Sequence, residues 1–328
     1  MSSQSLSQYR RAGAVYNRGV PSCFSGRHVR SWEIRHTEEA WLRTVLYSLA
    51  SPRLQVRQVH TFAVHQSYRQ ARHKKYVTLK LLRADCYGGP HDIFEREILS
   101  KISDMSRKST HDGARHILPL LGDFTHTGPN GDHVCLVFDV LGHHLDFQCA
   151  KYEDGRLPVR AVKLIARQLL LGLDFLHREC GVIHTDLKPT NILLELENPD
   201  RVISLITTPL ISEMEAPRIR IIDFGVAFWR DNHLSEQIQS SALRAPEVTI
   251  GAPWDTGVDI WSLGCLIMEL VQGIVPFSGE ASERGTWTAE DDRLARTIEI
   301  LGPFPLELLR KGSRTPDLFD EKGKYSST

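Results

Sequence analysis

His184-Thr185-Asp186-Leu187-Lys188-Pro189-Thr190-Asn191 is the stretch on which the reading of this chain turns. Within one short loop it sets a carboxylate, an ammonium group and a carboxamide at close spacing. Directly after it, Ile192-Leu193-Leu194 reads as a short apolar strand that would hold the loop rigidly. Phosphoryl transfer asks a protein mainly for positioning and charge neutralisation. A carboxylate such as Asp186 can orient an acceptor hydroxyl, Lys188 can offset phosphate charge, and the Asn191 amide can ligate a metal ion.

Three further motifs follow in order. Ile221-Ile222-Asp223-Phe224-Gly225 is a strand that delivers Asp223 to a turn, the placement needed by a metal ligand that bridges nucleotide phosphates. Ala245-Pro246-Glu247 closes the segment after it, and Asp259-x-Trp261-x-x-Gly264 opens a helix. Asp-Phe-Gly alone is a weak signal, because a tripeptide recurs by chance. Four motifs in sequence, each in a fitting local context, carry the weight.

Working outward, the chain divides into a strand-rich half and a helix-rich half that join near Asp139 to Leu141. Tyr76 to Leu82, Ile117 to Leu121 and Val134 to Phe138 read as strands, with Gly128-Pro129-Asn130-Gly131 as a turn. His91 to Ile102 reads as a helix with Phe94, Ile98 and Ile102 on one face. Downstream, Pro158 sits at a helix start, and Val162, Ile165, Leu169, Leu173 and Leu176 keep a helical period. Another helix is predicted from Val258 to Gln272, stopped by Gly273. Leu196 to Pro217 reads as a loop insertion.

These motifs resemble those of eukaryotic protein kinases, and from Tyr76 onward the chain is similar to the SR-protein kinase family of Ser/Thr kinases. The residues that carry the narrower resemblance are Thr185 in His184-Thr185-Asp186, the hinge-like run Leu136-Val137-Phe138-Asp139-Val140-Leu141-Gly142-His143-His144-Leu145, and Asp231-Asn232-His233-Leu234-Ser235-Glu236-Gln237-Ile238-Gln239. The resemblance implies an α+β, bilobal kinase-like fold, with a small strand-rich N-lobe that is incomplete and a larger helical C-lobe that is truncated. It implies transfer of the ATP γ-phosphate to Ser/Thr hydroxyls, in Arg/Ser-rich proteins, with ATP and Mg2+.

The same resemblance assigns residues. Asp186 and Lys188 are expected to be catalytic, and Asn191 and Asp223 to hold metal. Lys80 would bind phosphate and pair with Glu97 from the helix, while Asp139 and Leu141 would meet the nucleotide at the hinge. Ser240 would sit beside Asp186 and favour Ser/Thr acceptors. Asp292 and Glu299, seven apart and so on one helical face, would dock an Arg-rich substrate, though a solvated acidic face explains them equally well. Most kinases carry an Arg where Thr185 stands, to grip a phosphate on the activation loop. Its absence predicts activity independent of such phosphorylation.

Composition sets the boundaries. The chain has 328 residues, 41% hydrophobic and 24% charged, with zero formal net charge, which is ordinary for a globular protein and gives no whole-chain pull toward nucleic acid or membrane. Its cysteines lie far apart with no C-x-x-C pair, which speaks against a zinc site or a secreted disulfide framework. With no signal-peptide layout, the expected location is cytoplasm or nucleus, as a monomer with protein substrates and neither membrane nor direct nucleic-acid partners.

The expected organisation is a polar, disordered tail over 1–30, a basic segment over 31–75, the rest of the N-lobe over 76–140 and the C-lobe over 141–328, incomplete at its end. Thr37 would cap a helix in the basic segment. No glycine occurs between Gly26 and Lys80, so the backbone that would approach nucleotide phosphates closely in this family is replaced by that segment. An Arg partner for Glu247 is also not found. These departures keep a second reading open, a catalytically weak pseudokinase or binding module that retains the docking surface.

Overall fold

A computed structural model describes residues 60–67, 74–87, 93–128, 131–196 and 208–325, with side chains from Val77 onward. The polar tail, the helix expected after Thr37 and most of the basic segment lie outside the described residues.

Four antiparallel strands come first: β1 (His60–Ser67), β2 (Lys74–Leu81), β3 (Gly122–Gly128) and β4 (Gly131–Asp139), in the order β1-β2-β4-β3. β1 lies inside the basic segment, so β2 is an inner strand, with Lys80 opposite Thr61 on one side and Leu136 on the other. Val134, Cys135 and Leu136 are buried on successive positions of β4, as befits a strand covered on both faces. The strand expected at Ile117–Leu121 does not form. Pro119 has no N–H to give a ladder, and Leu118 N–H instead donates to Ile221 O at 3.1 Å, which ties this segment to the helical half.

Helix α1 (Glu95–Lys108) starts four residues later than its apolar spacing suggested and runs six further. Glu95, Ile98, Leu99, Ile102 and Ser103 are its buried residues, one stripe at helical spacing. After it come α2 (Leu145–Cys149) and α3 (Val159–Asp174), the latter entered through Pro158 and continued by a widened turn over Phe175–Cys180. Short strands β5 (Val182–Ile183), β6 (Ile192–Leu194), β7 (Ile219–Ile221) and β8 (Phe228–Trp229) pair as β5–β8 and β6–β7 around the loops that carry the motifs. α4 (Pro246–Thr249), α5 (Gly257–Gln272), α6 (Ala289–Leu301), α7 (Leu306–Leu309) and α8 (Thr315–Leu318) complete the described chain.

α5 ends at Gly273, whose φ of 70° is left-handed and whose N–H closes on Glu269 O at 2.8 Å. A Cβ there would lie 2.2 Å from Asp154 O, so the position excludes side chains on two counts.

One apolar core joins α1, α3, α5 and the β6–β7 pair: Ile98, Ile165, Leu169, Leu173, Leu266 and Ile221 are fully buried members. Burying each such side chain contributes about 1.5–3 kcal/mol. Adjacent residues on α3 test this arrangement, since Leu169 is 0% and Leu170 49% exposed. Leu169→Ala is expected to cost about 2–5 kcal/mol in urea unfolding, and Leu170→Ala about 0.5 kcal/mol or less. Equal losses would contradict the burial described for α3.

Candidate functional site

The loop from His184 to Asn191 is suspended from a buried carboxylate on α5. Asp259 is 0% exposed. It accepts the His184 N–H at 2.9 Å and the Thr185 N–H at 2.8 Å, and His177 Nε2–H donates to it at 2.7 Å. An ionised carboxylate out of water is tolerable only with such a set of donors. Thr185 takes φ 62°, an outlying conformation for a β-branched residue. Its N–H bond to Asp259 and its hydroxyl, which donates to Val226 O at 2.6 Å, hold it there. The His184 ring reaches Ile222 O at 2.9 Å and packs edge-on against Phe224, with centroids 5.1 Å apart. The two motif loops are thus fastened to each other.

Beyond Thr185, four polar groups converge. Lys188 Nζ donates to Asp186 Oδ2 at 2.6 Å, and Asn191 Nδ2 donates to the same oxygen at 3.1 Å and to Asp186 O at 2.9 Å. Ser240 Oγ donates to the other oxygen, Asp186 Oδ1, at 2.9 Å. One carboxylate therefore meets an ammonium, an amide and an aliphatic alcohol, and the last shows that Oδ1 is placed to accept from a serine hydroxyl. A cavity of about 540 Å³ opens here, with Asp186 and Lys188 as its only charged lining among the described residues and with Phe94, Val226 and Leu234 among its apolar walls.

A second cluster is built between the two halves. Lys80 Nζ, 8% exposed, lies 2.5 Å from Glu95 Oε1 and 2.8 Å from Asp223 Oδ1. Burial alone would lower the Lys80 pKa, but the two carboxylates outweigh it and hold the ammonium above its ordinary value. Burial likewise works to raise Asp223, yet Lys80 keeps that carboxyl below its usual range. For Glu95 burial dominates and pushes the carboxyl up against the pull of Lys80. Asp223 has φ 67°, and a Cβ on Gly225 would come within 3.3 Å of both Asp223 Oδ1 and Glu95 Oε2. This cluster lines a cavity of about 210 Å³, shared with Asp139, Leu141, Phe138 and Leu193.

The expected partner of Lys80 was Glu97, and the structure corrects this to Glu95. Helical phase is the reason. Glu95 lies three, four and seven residues before Ile98, Leu99 and Ile102 and shares their buried stripe, whereas Glu97 is turned about 200° away. Glu97 faces solvent, and its near neighbour is Tyr87 Oη at 3.4 Å. Sequence reasoning also passed over Asp259 as an anchor, although the motif containing it had been noticed. Of the other expected residues, Lys80, Asp139, Leu141 and Asp223 share one cavity, while Asp186, Lys188, Asn191 and Ser240 form the neighbouring cluster.

The docking residues are placed differently. Asp292 accepts from Arg296 Nε at 2.7 Å and from Glu280 N–H at 2.9 Å, so it is engaged within the chain, and Glu299 is exposed further along α6. Glu247 is partly buried, which pushes its carboxyl up, and it makes no ion pair among the described residues. As donors, the Asp223 carboxylate and the Asn191 amide oxygen are hard oxygen ligands that fit Mg2+, which takes one or two protein ligands and fills the rest of its shell with phosphate and water.

The protein kinase domain family matches residues 62–315. Serine/threonine-protein kinase SRPK of Physarum polycephalum is 31% identical over 285 residues, covering 76% of this chain and 66% of that protein. Protein kinase dsk1 of Schizosaccharomyces pombe is 28% identical over 360 residues, covering 76% and 65%. Dual specificity tyrosine-phosphorylation-regulated kinase 3 of Homo sapiens is 31% identical over 252 residues, covering 76% of this chain and 37% of its own length. The chain spans a little under two thirds of the first two relatives. With strands, helices and motif loops arranged as above and the family match running from β1 to the start of α8, the chain belongs to the protein kinase domain family.

Proposed function

We propose that the chain is a serine/threonine protein kinase that transfers the γ-phosphoryl group of ATP to hydroxyls in Arg/Ser-rich proteins. The observation that carries this reading is the pair of neighbouring clusters: Lys80, Glu95 and Asp223 on one cavity, and Asp186, Lys188 and Ser240 on the other, with Asn191 bonded to Asp186. In this reading Lys80, fixed by Glu95, holds the donor phosphates. Asp186 Oδ1 orients the acceptor hydroxyl and takes its proton, as its bond from Ser240 Oγ suggests, and Lys188 offsets charge on the moving group. Asp223 and Asn191 would hold Mg2+, which when bound neutralises charge on the phosphate oxygens.

The preference for Ser/Thr rests on the relatives named for it and on Ser240 beside Asp186. The Arg/Ser-rich class rests on the kinship with SRPK. Arg recognition would fall outside the acceptor cavity, whose walls add no carboxylate beyond Asp186 among the described residues. On α6, an incoming Arg would compete with Arg296 for Asp292.

Order in the activation segment comes from bonds that need no phosphate. Gln239 Nε2 donates to Val258 O at 2.9 Å and Ser262 Oγ at 2.8 Å, and its Oε1 accepts Ala245 N–H at 2.9 Å. The His233 ring stacks on Trp254 at 3.7 Å. Such a segment is expected to be competent unmodified.

Labelled-phosphate transfer from Mg-ATP to an Arg/Ser-repeat peptide tests the reading directly. Wild-type protein is expected to transfer, and Asp186→Ala to lose about 10³-fold or more in kcat, since it removes both base and orienter. Folded wild-type protein that binds ATP but transfers nothing would turn the reading to a pseudokinase. Glu95→Gln is expected to lower kcat by about tenfold or more, and Glu97→Gln by less than about threefold, because only the first breaks a buried ion pair. The reverse order would reinstate Glu97. Phosphatase treatment is expected to leave the rate within about twofold, as no charge pair on the segment depends on phosphate; a collapse of activity would refute phosphate-independent ordering.

A further inference from the structure

The helix that presents Glu95 to Lys80 begins at Glu95 itself. A first helical residue is poorly placed to be held by its own helix, because the opening N–H groups have no partner within it. Phe94, at the N-cap position, supplies no side-chain bond. Side-chain caps come from Ser, Thr, Asp or Asn in most helices, and this one has none at that place.

The missing acceptor comes from outside the helix. Tyr87 Oη accepts the Arg96 N–H at 2.7 Å, and its own proton points to Glu97 Oε2, 3.4 Å away. A phenol has one proton and two lone pairs, so both bonds are made together. Tyr87 is held in turn. The body of its ring packs on the main core, and Ile93 N–H donates to Cys86 O at 3.3 Å, drawing together the two ends of the loop that connects it to α1. On another side of the same turn, the Arg96 guanidinium reaches Asp123 of β3 at 2.6 Å. The first turn of α1 is thus tethered to β3 and to the loop after β2, while Glu95 points inward to Lys80.

We infer that Tyr87 is a positioning residue for the Lys80–Glu95 pair: its hydroxyl caps α1 from the preceding loop and so fixes the helix start at Glu95. Glu97, which does not reach Lys80, serves in this arrangement as the acceptor that orients the Tyr87 proton. The phenol is kept neutral there, because burial and the nearby Glu97 and Glu95 carboxylates all push its ionisation upward. The inference rests on the kinase reading for its effect on rate, but the tether itself does not.

Tyr87→Phe removes the acceptor and keeps the ring, and Tyr325→Phe, which makes the same change at the hydroxyl that donates to Asp291, is the control. Amide hydrogen exchange at Arg96 is expected to quicken by about tenfold or more in Tyr87→Phe and to stay unchanged in Tyr325→Phe. In the transfer assay, Tyr87→Phe is expected to lower kcat by about 3–20-fold while the peptide KM moves less than twofold, because the acceptor cluster is untouched. Glu97→Gln, which can still accept from the phenol, is expected to keep the Arg96 amide slow. Unchanged Arg96 exchange in Tyr87→Phe would overturn the cap. Faster exchange with kcat unchanged would overturn the positioning role. A wild-type chain with no transfer would instead sink the kinase reading, and the exchange experiment would still decide whether the tether exists.

Discussion

A carboxylate held away from water sets the terms for everything around it, and in this protein that carboxylate is Asp259. Removing its donors would leave a buried charge unpaired, at a cost of several kcal/mol, so the donors and the acid stand or fall together. Two of the three donors are backbone N–H groups of His184 and Thr185. The loop therefore cannot relax Thr185 out of its left-handed conformation without breaking the set. Backbone strain of this kind costs about 1–3 kcal/mol and persists only where the surroundings over-determine it. Here the helix α5, packed through Leu263, Leu266 and Leu270, supplies that constraint.

From this anchor the polar groups follow in order. Thr185 fixes where Asp186 emerges, and the Thr185 hydroxyl on Val226 O ties the segment after Asp223 to the same loop. Asp223 then meets Lys80, which is carried by a strand of the other half and fastened by Glu95 from α1. Beside the apolar core, which also takes in Leu136 and Phe138 of β4, a polar link crosses from the helical half to the sheet through the Lys80 ammonium. That link is electrostatic and depends on α1 being in phase. The helical half, by contrast, is held by close-packed apolar side chains that do not depend on it.

How much of this was legible in the sequence depended on the range over which each residue acts. Asp186, Lys188 and Asn191 lie within one loop, and their mutual bonds span two to five positions, so local spacing was enough to bring them together. Leu169 and Leu173 were legible because a helical period is also local. Glu95 was not, because Glu95-Arg96-Glu97 offers two acids, and the choice is made by which face of α1 is buried, a fact of tertiary packing. Ile117 to Leu121 misled for a similar reason: an apolar run marks burial, but Pro119 leaves the run without a full ladder, and Leu118 bonds to Ile221 and Leu120 to Ser103 instead. Asp259 stood in plain view as a motif residue, yet its donors lie 74 to 82 positions away, beyond any pattern of spacing.

The departures from the family pattern bear on different parts of this construction. Absence of glycine between Gly26 and Lys80 concerns what covers the donor phosphates, whereas among the described residues the bonds that gather Asn191 and Ser240 on Asp186 lie within the helical half. The pairing of β1 with β2, with Thr61 opposite Lys80, gives the strand of Lys80 a neighbour without any glycine. Loss of close backbone approach would weaken donor binding and alignment, since glycines there let the chain come near phosphate oxygens. It would leave the Asp186 cluster in place. The chemistry most exposed to this departure is therefore affinity and alignment for the nucleotide, and the chemistry least exposed is orientation of the acceptor hydroxyl.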